Sequence, residues 1–142
     1  MLKQISAVVE NKPGTALEVM ETLAVAGVNA RSITISESDK YGIVRLIVDD
    51  TNRAEEALSG KFLAVRVADI VGISVPDKPG ALMNAMRALS DNGVNIRYCY
   101  SLNAKTDGRA DIAIRIKTAH IDKAVEVLMN AGARLLCTED LI

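Results

Sequence analysis

The chain has 142 residues, 49% hydrophobic, 25% charged and 3% aromatic, with a formal net charge of −1. No apolar run approaches the roughly 18 residues that a membrane-spanning helix needs, so no membrane partner is expected. Balanced, interspersed charge and the lack of Trp argue against nucleic acid, because only Tyr98 and Tyr100 could form a stacking platform.

Residues 3–10 alternate, with Ile5, Ala7 and Val9 against Ser6, Val8 and Glu10, the pattern of a strand with one buried face. Pro13 and Gly14 end it. From 15 to 26 the period becomes helical, with Ala16, Met20, Leu23 and Ala24 on one face, and Gly27 is the stop. A strand over 29–36 carries Arg31, Ile33 and Ile35 on one side. A turn at 38–42 leads into a strand over 43–49, with Val44, Leu46 and Val48 inward. Asp50-Thr51-Asn52 offers an N-cap to a helix over 53–59, and a strand over 62–68 follows.

The order then recurs. A strand runs over 71–75 and a helix over 81–92, with Leu82, Met86 and Leu89 inward. A strand over 96–102, a turn at 103–108 and a strand over 109–117 come next. A helix over 120–131 and a strand over 134–139 complete the chain. The landmarks recur as well. Asn11 and Asp77, Gly14 and Gly80, Asn29 and Asn95, and Arg31 and Arg97 are each 66 positions apart. Such self-similarity marks a duplicated unit. The fold class is therefore α+β, two tandem ferredoxin-like βαββαβ units spanning 1–69 and 70–142. Each is expected to form a four-stranded antiparallel sheet with both helices on one face and the other face bare. The join at Ala68-Asp69-Ile70 has no linker composition, which predicts fairly rigid placement of the units. Units of about 70 residues bury only roughly 60% of their unfolded surface, so packing on a second copy, a homodimer, is expected.

The repeated loops, Asn11-Lys12-Pro13-Gly14 and Asp77-Lys78-Pro79-Gly80, carry the chemistry. Each stands where a strand gives way to a helix N-terminus, whose unpaired N–H groups and positive dipole end suit a carboxylate. Gly14 and Gly80 let a ligand approach the backbone. Asn11 and Asp77 can accept hydrogen bonds from an ammonium group, and Asn29 and Asn95 offer donors and acceptors. A zwitterionic amino acid needs this combination. Pro-Gly after a strand is also an ordinary turn, and Asn11 or Asp77 could simply cap the following helix.

With Pro13-Gly14 and Pro79-Gly80 after the first strand, and Gly27-Val28-Asn29 and Gly93-Val94-Asn95 after the first helix, each unit resembles the ACT domain, a small regulatory module of amino-acid metabolism. The resemblance covers nearly the whole chain, twice. It implies a stand-alone tandem ACT protein that binds an amino acid or related small carboxylate at interfaces between paired domains and controls an enzyme or regulator. The implied ligand-binding residues are Asn11, Pro13, Gly14 and Asn29, with Asp77, Pro79, Gly80 and Asn95 in the second unit. The family's serine-binding form has a His two residues before the loop Asn. Val9 and Val75 stand there in this chain, so that contact is missing.

No cofactor, metal site or catalytic residue is expected. His120 is the only His, and Cys99 and Cys137 form no metal-binding spacing. The two lone cysteines and an N-terminus without signal-peptide layout predict a cytoplasmic protein. Two other readings are a pure interaction module without a small ligand, through the bare sheet face or the edges, and a small acylphosphatase-like enzyme. The second is weakened because the loops carry Lys12 and Lys78 but no Arg. Tyr98 and Tyr100 read as packing residues, and Met20, Met83, Met86 and Met129 as core or interface filler.

Overall fold

A computed structural model describes residues 1–103 and 105–142. Part of the turn expected at 103–108, Ala104, lies outside the described residues. The chain divides into two compact units, Lys3–Ala68 and Asp69–Ile142, the latter joined by Met1–Leu2.

The alternating segments form the first unit's strands: β1 (Leu2–Glu10), β2 (Ala30–Glu37), β3 (Tyr41–Val48) and the start of β4 (Ala64–Pro76), in the order β2-β3-β1-β4. β1 and β2 both run antiparallel to β3, with Ile5 opposite Leu46 and Ile33 opposite Leu46 from the other side. β2 shifts register against β3 between Ala30 and Ser32. Helices α1 (Thr15–Val25) and α2 (Thr51–Leu58) pack on Ile5, Ala7, Val9, Val44, Leu46 and Val48. The Asp50 carboxylate caps α2 by accepting from the Arg53 amide at 3.0 Å.

The second unit holds the rest of β4, α3 (Ala81–Asp91), β5 (Ile96–Leu102), β6 (Arg109–Ile116), α4 (Ile121–Asn130) and β7 (Arg134–Leu136). Its strand order is β5-β6-β4, with β7 on the other side of β4. Val71, Ile73, Val75, Ile112, Ile114 and Ile116 face Ala85, Leu89, Ala124 and Leu128 of the helices.

Several expectations are corrected. The strands expected over 62–68 and 71–75 are one continuous strand, because nothing in Ala68-Asp69-Ile70 interrupts extended backbone. The strand expected over 134–139 stops at Leu136. A 3-10 turn, Thr138–Asp140, follows, held by the Asp140 carboxylate, which accepts from the Cys137 amide at 2.8 Å. In α1 the deepest residues are Thr15, Val19 and Leu23. Ala16 and Met20 are half-buried and Ala24 is exposed, so the inward face is rotated from the one expected. In α3, Ala85 and Leu89 are the deepest, with Leu82 and Met86 half-buried. Met83 and Met129 are exposed, so of the core or interface role expected for them the core one does not hold.

Nor is the helix-free face of the second sheet bare. Ile70, Gly72, Ser74, Asp111, Ala113 and Leu136 on it are buried. Leu2 lies over Gly72: a Cβ there would stand 2.5 Å from Leu2 Cδ1 and 3.1 Å from Leu136 Cβ.

Candidate functional site

Both repeated loops have the same backbone. The Lys12 amide donates to the Glu10 carbonyl at 3.0 Å, and the Lys78 amide to Pro76 at 2.9 Å. Gly14 (φ 92°, ψ −14°) and Gly80 (φ 87°, ψ −12°) are the N-cap residues of α1 and α3. Left-handed backbone at both explains why each is glycine. No side chain caps either helix. The capping role open to Asn11 and Asp77 is therefore not used; the Thr15 and Ala81 amides donate to the Lys12 and Lys78 carbonyls, and the next N–H groups of each first turn are left for another acceptor.

The side chains around the loops differ. In the first loop Asn11 is tied to the β2–β3 turn. Its amide nitrogen Nδ2 donates to the Ser38 carbonyl at 3.0 Å, and its backbone N–H donates to Lys40 at 3.0 Å. This leaves the Asn11 amide oxygen as an acceptor. The Thr15 hydroxyl lies 2.8 Å from the Glu10 carbonyl and 3.0 Å from that of Lys12, pinning the loop to the helix start. Lys12 pairs with Glu10 at 3.0 Å, and hydrogen bonding to that carboxylate raises its pKa above the usual lysine value. In the second loop the Asp77 amide donates to Gly108 at 2.9 Å, and Ala81 stands where the first loop has Thr15.

A cavity of about 440 Å³ opens at the first loop. Asn11, Pro13, Gly14 and Thr15 line it from the loop and helix start, with Val9, Ile35, Glu37 and Gly42 from the strands. Nothing lies within 4 Å of where a Gly14 Cβ would be, so the backbone there is open to a ligand. Glu10 and Glu37 place carboxylates on the same cavity as the α1 N-terminus. Positive and negative poles thus flank a space of amino-acid size.

The structure brings together Asn11, Pro13 and Gly14, but not Asn29. Asn29 follows the C-terminal end of α1, whose eleven residues span roughly 16 Å. There its backbone N–H donates to the Asp49 carboxylate at 2.9 Å and its carbonyl accepts from the Asp49 amide at 3.1 Å. The second unit separates its residues in the same way. Asp77, Pro79 and Gly80 precede α3, whereas Asn95 lies beyond its far end, in a cavity of about 350 Å³ with Met86, Ser90, Gly93, Val94 and Ile96. Within one unit, therefore, the Gly-Val-Asn motif is a helix exit and not part of the loop site.

Sequence reasoning missed Thr15, Ile35 and Glu37. Thr15 was within reach, as a hydroxyl directly after the loop Gly. Ile35 and Glu37 come to the cavity only through the pairing of β2 with β3. Among the described residues, no group of three or more His, Cys, Asp or Glu is placed to hold a metal ion. Among them, too, no helix is long and apolar enough to cross a membrane.

Comparison with known proteins agrees with this architecture. A family model described as an ACT domain pair matches residues 1–142. Among solved structures, protein BT0572 from Bacteroides thetaiotaomicron is similar at 40% identity and a TM-score of 0.87, over 99% of this chain and 94% of that one. The regulatory subunit of aspartate kinase from Thermus thermophilus, in its ligand-free form, shares the fold at 20% identity and a TM-score of 0.67, over 92% of each chain. The corresponding subunit from Thermus flavus does so at 19% identity and a TM-score of 0.65, over 93% of this chain and 94% of that one. A search of curated proteins by sequence finds no match.

Proposed function

The chain belongs to the ACT domain pair family, and from that premise we propose that it is a non-catalytic regulatory protein that binds an amino acid at its first loop. The observation that carries this reading is the open cavity at Gly14, beside a helix N-terminus that no side chain caps. The ligand carboxylate sits against the first-turn N–H groups of α1. Its ammonium group is held by the Asn11 amide oxygen and by Glu37, the Glu10 carboxylate being engaged by Lys12. Val9, Pro13 and Ile35 supply apolar contact for a side chain. The similar regulatory subunits of aspartate kinase support a role in signalling to a partner enzyme. The protein acts as a homodimer.

Asp77, Pro79 and Gly80 form the second candidate loop. Its backbone is the same, but it lacks the Thr15 hydroxyl anchor. A catalytic role for Lys12 is disfavoured because its ammonium group is engaged by Glu10.

The test is a thermal-shift screen against the twenty amino acids, followed by calorimetry on any hit. At one hundred times the dissociation constant a ligand adds about 2.7 kcal/mol of stability. Gly14→Ala and Gly80→Ala are then compared. Both glycines have left-handed backbone, so each variant loses a similar roughly 1–2 kcal/mol of stability. Only Gly14→Ala should also weaken the ligand, by about tenfold or more, because its Cβ enters the space at the first loop. Equal affinity in the two variants overturns the assignment to that loop, and a silent screen overturns the amino-acid reading.

A further inference from the structure

On the reading of the first loop as an amino-acid site, on which this depends, we propose that Gly42 sets the side-chain class of the ligand. It keeps open a slot that takes a neutral amino acid with a side chain the size of valine or larger. Gly42 lies in β3, opposite Val9 of β1 and opposite Glu37 of β2. Residues opposed in this way share one face of the sheet. A side chain at position 42 would therefore stand on the side of Val9 and Glu37, which line the cavity at Gly14 as Gly42 does.

Two ordinary reasons for a glycine do not apply here. The backbone does not demand one: seven of the nine glycines have positive φ, and Gly42 is not among them. Nor does packing exclude a side chain as it does at Gly72. Apart from its neighbours in the chain, a Cβ at Gly42 would meet only Val9 Cγ2 at 3.2 Å and the Ser36 carbonyl oxygen at 3.9 Å. A small shift of one valine methyl relieves that contact. The second repeat shows the position with a methyl in place. Its matching valine, Val75, is opposed by Ala110. What Gly42 leaves open, and Ala110 fills, is the space on that face of the sheet.

Gly42 is buried, so the space over it is a slot and not open surface. Val9, Ile35 and Ala16 give the cavity apolar walls. With the ligand carboxylate at α1 and its ammonium at Asn11 and Glu37, the remaining substituent of its Cα is left to those walls and to Gly42. A charged side chain finds no counter-charge there, because Lys12 and Glu10 are engaged with each other. Glycine and alanine leave the slot unfilled, and each methylene buried in it is worth roughly fourfold in affinity.

Calorimetry with the twenty amino acids as probes, on wild type, Gly42→Ala and Ala110→Gly, tests this. Wild type is expected to bind a neutral amino acid of valine size or larger about tenfold or more tighter than alanine. Gly42→Ala should weaken that ligand by about tenfold and leave alanine within about twofold, so that the preference for size collapses. Ala110→Gly, at the matching place in the second repeat, should change neither. Ile35→Ala removes apolar wall at a site already 55% exposed, where folding is not at risk, and should weaken the larger ligand more than alanine. Circular dichroism confirms that each variant is folded. A wild type that prefers glycine, alanine or a charged amino acid overturns this role of Gly42 while leaving the loop as an amino-acid site. So does a Gly42→Ala variant that weakens large and small probes equally or not at all. A wild type that binds none of the twenty overturns the loop reading itself, and the role of Gly42 with it.

Discussion

The two repeats share a backbone and differ in what surrounds it. Gly14 and Gly80 agree within a few degrees in both torsions, and the amide-to-carbonyl bonds of the two loops coincide. The side chains that give a loop a chemical environment are not copied. Thr15 becomes Ala81, Asn11 becomes Asp77, Glu37 becomes Asn103, and the exposed Ile33 and Ile35 become Cys99 and Ser101. The difference teaches that duplication preserves what the backbone requires, whereas a site or an interface rests on individual side chains. Those have diverged here: Thr15, Ile35 and Glu37, which line the cavity at Gly14, all have different residues at the matching positions of the second repeat.

The largest effect on that comparison is expected at Gly72, whose counterpart in the first repeat is Ser6. Any side chain at Gly72 meets Leu2 and Leu136. Gly72→Ser should lower the unfolding free energy by about 1–3 kcal/mol, the range for overpacking, while Ser6→Gly should change it by about 1 kcal/mol or less. Urea denaturation of the two variants measures the difference, and equal effects would show that Leu2 moves aside freely.

A smaller effect is expected from exchanging the loop anchors. Thr15→Ala removes the hydroxyl bond to the Glu10 carbonyl and should lower stability by about 1 kcal/mol. Ala81→Thr, offered the same backbone, should recover part of that amount in the second loop. A Thr15→Ala variant as stable as wild type would mean the hydroxyl bond contributes nothing beyond what water replaces.

The smallest effect concerns the ends of the repeats. Where the first repeat continues as strand into β4, the second closes in the turn at Thr138–Asp140. Hydrogen bonding from the Cys137 amide, chiefly, holds the Asp140 carboxyl below its usual pKa, and Arg134 at 2.7 Å adds to this. Because the folded pKa is depressed, the stabilisation is full above the usual carboxylate range. It is lost as pH falls through the depressed value. Asp140→Asn should therefore lower stability by up to about 1 kcal/mol at neutral pH, with the gap from wild type closing in acid. Thermal melts at neutral and strongly acidic pH check this, and a gap that does not change with pH would remove the carboxylate from the explanation. The same turn raises the Cys137 thiol pKa, mainly through hydrogen bonding with Glu139 and then Asp140.

The sequence by itself determined the duplication, the α+β class, the order of elements and the two glycine loops. These follow from hydrophobic period and from the backbone freedom of glycine, both local properties that leave a local trace. Pairing and packing decided the rest. The inward face of α1 turned to Val19 because the sheet, not the helix pattern, chose which side was covered. Asn29 left the loop site because an eleven-residue helix holds it at the far end. Ile35 and Glu37 joined the cavity because β2 pairs with β3, and Leu2 fixed Gly72 by lying across it. Contacts between residues distant in the chain carry no periodic signal in a single sequence, so only the tertiary structure could place them.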